Sequence, residues 1–395
     1  MSSGRTQALV APALIVWARK SAGFDVPAAA KKLKVGDSAI ASWESGAARP
    51  SLAQLRKMAV LYKRPLAVFY LPEPPQGFTA LRDFRTVAGE KQPSRSPRLE
   101  IETRRAQQRR EAALDIAAAI GEEFPTFRVS TELAQDPVEA ASRLRQTLGV
   151  PLEEQFGWKD QYQALNSWKR AVEHAGVLVF QTENLAIRDA RGFSLALQPL
   201  PIVALNSKES PRGRVFTLFH ELAHITLRAS GVCDLHDQGS SAREIDRIEV
   251  FCNRVAGAAL VPPASIAETL AALDLERETE WSDAALRILA DYYSVSSDAA
   301  LRSLVLAGRY PANAYAARHA AFLKAWGSER SKSGRVPYFR RALGWSGRRF
   351  ARMALAAYDD QRISSADVTE YLRVKIKQVE QIRGALRKED YAETA

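Results

Sequence analysis

The sequence predicts a mostly α-helical protein with one small β-sheet, an α+β chain of several domains. Three observations predict this. Apolar residues recur at helical spacing through most of the 395 residues, between breakers rich in Gly, Pro and Ser. Only one stretch reads as strands: 177–180, 193–197 and 202–205 are short, β-branched or aromatic, and bounded by Gly or Pro. The length, with 46% hydrophobic residues, supplies more core than a single domain of ordinary size holds.

Charge is unevenly spread. The formal net charge is +11, yet residues 1–110 hold 20 Lys/Arg against 8 Asp/Glu, while the remainder holds 36 against 37. The basic character belongs to the front of the chain, where nucleic acid is the first partner to consider and an acidic protein the second. Cys233 and Cys252 make no disulfide framework and agree with a reducing cytoplasm. The apolar run 8–17 is broken by Pro12 and leads into Arg19-Lys20; about ten residues is too short for a bilayer, so no membrane span is expected.

Taken in order, residues 11–71 read as short helices with tight turns. Residues 26–33 form one helix, with Pro27 in its first turn, and 38–45 form a second, stopped by Gly46. Ser51 caps a third over 52–62. With Trp43-Glu44-Ser45-Gly46 and Arg49-Pro50-Ser51 as its clearest marks, this stretch resembles an XRE-type helix-turn-helix, whose second helix would enter the major groove. Base-edge reading favours Arg, Lys, Asn and Gln, whereas the outward positions here are Asp37, Ser38, Ala39, Ala41 and Ser42. Lys31, Lys32, Lys34 and Arg49 would neutralise phosphates, with Ser38 and Ser42 nearest the bases. The expected binding is salt-sensitive and weakly specific. A protein-docking platform is the alternative.

The Pro-rich 71–75 reads as an extended linker. Residues 99–120 form a charged helix whose Arg104-Arg105 and Arg109-Arg110 pairs read as a solvated face. Residues 137–148, capped by Asp136, and 162–175 are amphipathic helices. The three strands follow, then a helix over 216–225 and its return over 243–260, ended by Pro262-Pro263. Helices over 282–292 and 297–306 come next, and 325–334 is a polar breaker. Ser364-Ser365-Ala366-Asp367 is a capping-box pattern opening a helix through Leu372, with another beginning near 374. The layout hints at a second, degenerate helix-turn-helix, although a plain helical unit is the simpler reading. No internal repeat, P-loop or dinucleotide motif is evident.

The chemistry concentrates in His220-Glu221-x-x-His224. Residues four apart share a helix face, so His220 and His224 can offer two imidazole nitrogens to one metal ion, with Glu221 beside them as general base. Glu249, 25 residues after His224, is the candidate third ligand, with Glu244 and Asp246 as rivals. Asn253, one turn on from Glu249, suits a partner that orients an imidazole. His236, Tyr292 and Tyr293 are unranked candidates for an oxyanion donor. Cys252 reads as a small core residue. His174 and His319 read as surface or helix residues.

These motifs, from His220 to His224 and from Glu249 through Cys252-Asn253 to Pro262, resemble the ImmA/IrrE family of metallo-endopeptidases. Asp83-Phe84-Arg85-Thr86, Gly192-Phe193-Ser194, Ala204-Leu205-Asn206 and Tyr293-Ser294-Val295-Ser296 add to the resemblance. It implies a zinc-dependent endopeptidase, with manganese as the alternative metal, acting on a regulatory protein such as a helix-turn-helix repressor in stress or mobile-element control. An edge of the small sheet would take the substrate as an added strand. The alternative is a DNA-binding regulator or antitoxin whose metal domain senses or scaffolds. The expected division is 1–75 helix-turn-helix, 76–130 linker and charged helix, 131–310 peptidase, and 311–395 helical accessory region. Expected partners are a protein substrate or toxin, DNA and a second copy of the chain, in the cytoplasm.

Overall fold

Capping side chains and left-handed residues set where the helices begin and end. The structure, a computed structural model, describes residues 7–64, 66–74, 97–229, 242–326 and 336–394, which divide into two compact units. The first holds α1 (Pro12–Ser21), α2 (Val26–Leu33), α3 (Asp37–Ser45), α4 (Leu52–Tyr62), a 3-10 turn over Leu66–Tyr70, and α5 (Pro97–Ile120) as far as Arg105. Asp25 accepts the Ala28 N–H at the start of α2, while Ser51 and Gln54 close a capping box on α4. Lys34 (φ 58), Gly46 (φ 80) and Lys63 (φ 53) end three of these helices in the left-handed region. Ile15, Ile40, Trp43, Leu55, Met58 and Tyr62 fill the core between them. Arg19 of α1 grips Glu44 of α3 with two hydrogen bonds, at 2.6 and 2.9 Å, in a bidentate fork.

The second unit continues α5 and adds α6 (Pro137–Leu148), α7 (Leu152–Phe156), α8 (Gln161–His174), β1 (Leu178–Thr182), β2 (Gly192–Leu195) and β3 (Ile202–Asn206). Then come α9 (Pro211–Ala229), α10 (Ala242–Leu260), α11 (Pro263–Ala272), α12 (Asp283–Tyr292), α13 (Ser297–Leu306) and α14 (Ala312–Trp326). The last four are α15 (Tyr338–Ser346), α16 (Arg348–Asp359), α17 (Ser365–Leu372) and α18 (Ile376–Thr394). The fold class is the predicted one, mostly helical with a small sheet. Among the described residues no single helix is long and apolar enough to cross a membrane.

The sheet runs β1-β3-β2, with β1 parallel and β2 antiparallel to the central β3. Ala204 faces Phe180 on one side and Phe193 on the other. Every residue of β2 and β3 is buried, because α9 packs on both. Helices α15 and α16 lie against β1. Pro263, read from sequence as part of a stop, is also the first residue of α11, where its missing N–H costs nothing.

One expectation fails. The arginine-rich face of α5 is not solvated. Arg104 donates to the Tyr62 carbonyl at 3.1 Å, and burial draws its guanidinium down to about 10. Arg109 is buried with its guanidinium over the Phe180 ring, and Arg110 donates to the carbonyls of Pro199 and Leu200. Sequence favours solvation for such pairs, yet a planar guanidinium can satisfy buried carbonyls while its stem packs on apolar surface. The 325–334 breaker falls mostly outside the described residues, as do 83–86.

Gly347, between α15 and α16, has φ 78, and a Cβ there would lie 2.7 Å from the Val179 carbonyl of β1 and 3.1 Å from the Phe180 ring. Gly347→Ala therefore combines a left-handed backbone with a steric clash. It is expected to lower unfolding free energy by about 2 kcal/mol or more in a denaturant titration.

Candidate metal centre

Helix α9 is held on nearly all sides. Leu218, Phe219, Leu222, Ala223 and Ile225 are buried, and Trp168 meets Phe219 edge-on with centroids 4.7 Å apart. Such a helix cannot rotate to bring its polar groups to water, so His220, Glu221 and His224 are buried with it. Helix α10 returns alongside, packed on α9 and α6 through Ile248, Phe251, Cys252 and Val255. Between those apolar positions it turns Glu249 and Asn253, four residues apart, toward the two histidines.

Nε2 of His220 and Nε2 of His224 stand 3.1 Å apart. The Glu249 carboxylate reaches them at 3.4 and 3.1 Å, and one ligand atom from each of the three residues falls within 4.8 Å of the others. Asn253 Oδ1 lies 3.2 Å from Nδ1 of His220. That contact assigns the proton to Nδ1 and leaves a lone pair on Nε2 aimed at the cluster. Both Glu249 oxygens are buried, and among the described residues their close polar neighbours are the two imidazoles. Burial by itself would raise the Glu249 carboxyl, but the charges and contacts of His220 and His224 outweigh it and hold it well below the ordinary range. Two imidazoles and a carboxylate with converging lone pairs, shut away from water, make a donor set that fits a divalent cation.

Glu221 is oriented from the sheet. Ser194 Oγ of β2 donates to Glu221 Oε2 at 2.8 Å, and both groups are buried. The approach depends on Gly192, where a Cβ would meet Thr217 Cγ2 at 2.5 Å and the Ala204 carbonyl at 3.0 Å. A buried polar network fixes the same corner. Glu209 takes hydrogen bonds from Arg191 at 2.9 Å and Thr217 at 2.8 Å, while the Asn206 amide donates to the Ala190 carbonyl at 2.8 Å. Sequence reasoning places Ser194 and Asn206 within matching motifs but assigns neither a role. No spacing rule links Ser194 to Glu221, because strand pairing brings them together.

Other candidates fall outside the cluster. The Tyr293 hydroxyl is bonded to Ser265 and Thr269, both at 2.7 Å, and its ring packs with Phe156 and Tyr292. Cys252 is buried in the core, and Asp246 is exposed. His174 is exposed, and His319 pairs with Asp298 at 2.7 Å. Cys233, His236 and the Glu244 side chain lie outside the described residues.

In the front module Lys31, Lys32, Lys34, Ser38 and Arg49 are exposed. Ser42 is half-buried and donates its hydroxyl to the Ser38 carbonyl at 2.8 Å, so it offers less to a base than the sequence implied. A cleft of about 540 Å³ beside α3 is lined by Lys34, Trp43, Gln54, Arg56 and Lys57. Arg56 and Lys57 are two further cations that the reading of α2 and α3 missed.

If the cluster takes up added zinc, Asn253→Ala is expected to weaken that uptake by about 10- to 100-fold without unfolding the chain, measured by competition with a chromophoric chelator. Glu249→Ala removes one of the three converging donors and should weaken it further.

The comparisons with known proteins follow these two sites. No curated protein matches the chain. The family model described as the IrrE N-terminal-like domain matches residues 172–305, which span β1 to β3, α9 and α10. The model described as helix-turn-helix matches residues 15–69. The chain thus carries an IrrE-type peptidase-family domain at 172–305 behind a helix-turn-helix at 15–69, the domain pairing of the ImmA/IrrE family.

Proposed function

We propose that the chain is a metal-dependent endopeptidase that cleaves a regulatory protein, a helix-turn-helix repressor by family resemblance, in stress or mobile-element control. The observation that carries this reading is the convergence of His220, His224 and Glu249 within 4.8 Å, with Glu221 next in sequence to His220. Held there, zinc or manganese would supply Lewis acidity, lowering the pKa of a water and polarising a peptide carbonyl. Glu221 takes the proton of the attacking water and passes it to the leaving amine. Ser194 engages one of its carboxylate oxygens and so fixes the plane of the base. The buried setting strengthens each of these contacts relative to water.

Strand β2 gives the substrate a place to lie. It pairs with β3 along one edge, and its other edge carries no strand among the described residues. An extended peptide adding there would run past Ser194, beside Glu221.

A second reading, in which the chain acts as a DNA-binding regulator or antitoxin without cutting, is favoured by the 20-to-8 excess of basic residues in 1–110. Glu221→Gln separates the two. The endopeptidase reading expects cleavage to fall by about 10²- to 10⁴-fold while metal content and melting temperature hold. A Gln variant that regulates as the parent does would leave the second reading standing. For the front module, Lys31→Ala, Lys32→Ala and Arg49→Ala together are expected to weaken binding to a DNA duplex. The slope of log affinity against log salt should fall by about one for each phosphate that is no longer neutralised.

A further inference from the structure

Residues 364–384 repeat the helix-turn-helix of residues 25–45, position for position at one constant offset. Asp25 caps α2 by accepting the N–H three residues on, and Ser364 caps α17 in the same way through Asp367. Both helices run for 8 residues and end in a left-handed basic residue, Lys34 (φ 58, ψ 48) and Arg373 (φ 56, ψ 43). The Val35 N–H then returns to the Ala30 carbonyl and the Val374 N–H to the Thr369 carbonyl, both at 3.1 Å. One turn later Ala39 N–H meets the Gly36 carbonyl, and Gln378 N–H meets that of Lys375.

The packing repeats with the backbone. Ala29, Leu33, Ile40 and Trp43 are buried in the front module, and Val368, Leu372, Val379 and Ile382 are buried at the matching places. Even the ion pair returns, with its charges exchanged. Glu44 of α3 takes a fork from Arg19 of α1, and at its place Arg383 of α18 gives a fork to Asp359 of α16, at 2.5 and 2.8 Å. Side-chain identity has drifted so far that the layout only hints at a helix-turn-helix, and between the two stretches only Leu-x-Val is shared, as Leu33-Lys34-Val35 and Leu372-Arg373-Val374.

Helix-turn-helix shape alone does not make a reader. The α12 to α13 connection has the same left-handed turn at Ser294 (φ 54), but Ala299, Ala300, Leu301, Ser303 and Leu304 of α13 are buried in the peptidase core. Helix α18 differs, because Lys377, Glu380 and Gln381 are exposed where α3 carries Ser38, Ala41 and Ser42, and Lys375 is exposed at its start. Lys matches the guanine edge and Gln the adenine edge in the major groove, whereas a serine hydroxyl bonds any base without discriminating and alanine offers no polar group.

We propose that α17 and α18 form a second DNA-binding helix-turn-helix, with Lys377 and Gln381 at base edges and Lys375 on the phosphate backbone. Phosphate attraction is then spread over both modules, while the side chains able to discriminate bases sit at the C-terminal one. Glu380 on the same face opposes the phosphates and tempers the affinity.

The test uses the full chain and a fluorescein-labelled duplex enriched from a random library by that chain, followed by anisotropy at two salt concentrations. Lys375→Ala, Lys377→Ala and Gln381→Ala together are expected to raise the apparent Kd at least ten-fold and lower the salt slope by about one. In the Lys31→Ala, Lys32→Ala, Arg49→Ala background they should remove the binding that remains. Glu380→Gln, a milder change on the same face, should tighten binding. Unchanged affinity of the triple variant in both backgrounds overturns the proposal, and so does loss of binding to single-stranded RNA or protein with duplex affinity intact. Glu221→Gln should leave duplex binding untouched, so failure here stands apart from failure of the peptidase reading.

Discussion

Two imidazoles and a carboxylate with their nearest atoms 3.1 to 3.4 Å apart inside an apolar helix pair make a buried polar cluster that a cation or protons must join. That constraint is the one on which the arrangement of α9 and α10 turns. Leaving a buried charge without its partner costs about 3–5 kcal/mol, far more than a solvent-exposed ion pair returns, at about 0–1 kcal/mol. The surface pairs of this chain are therefore minor terms beside the cluster. Apolar packing around His220, His224 and Glu249 holds the cluster together, since moving either helix away would open the core that Trp168, Phe219, Phe251 and Val255 fill.

The sheet is small because its task is local. Three strands suffice to place Ser194 at 2.8 Å from Glu221 and to hold Gly192 against Thr217. The network of Asn206, Glu209, Arg191 and Thr217 ties the loops flanking β2 and β3 to the first turns of α9. Buried polar groups joined in this way are satisfied only in one arrangement, so the network specifies a position more sharply than apolar contact would. On the other side of β3, β1 receives α15 and α16, with Gly347 permitting the close approach. The outer edge of β2 carries no strand among the described residues, and β1 is covered.

Among the described residues three places adopt a helix-turn-helix backbone, and they differ in what surrounds them. The α12 to α13 pair has become part of a core. The α2 to α3 pair shows phosphate-seeking cations around a bland second helix. The α17 to α18 pair presents Lys377 and Gln381. One compact way of joining two short helices thus recurs with separate uses, and solvent exposure of the second helix decides which use is open. The buried arginines of α5 make the same point, because a guanidinium can serve carbonyls inside a fold as readily as phosphates outside it.

By itself the sequence determined what local rules control. Helix starts at Ser51, Asp136 and Ser364 were legible, because a capping oxygen acts on backbone N–H groups two or three residues away. The pairing of His220 with His224 was legible because helical spacing puts both on one face, and the choice of Glu249 and Asn253 rested on a spacing that allowed a return helix. The tertiary structure alone decided that Glu249 rather than the exposed Asp246 meets the imidazoles, that Ser194 holds Glu221, and that the α5 arginines turn inward. A degenerate helix-turn-helix over 364–384 was hinted at by the layout, and its position-for-position match to 25–45 came from the backbone. Those contacts join residues from tens to hundreds of positions apart, and what fixes them is the packing of whole elements, which no window of sequence contains.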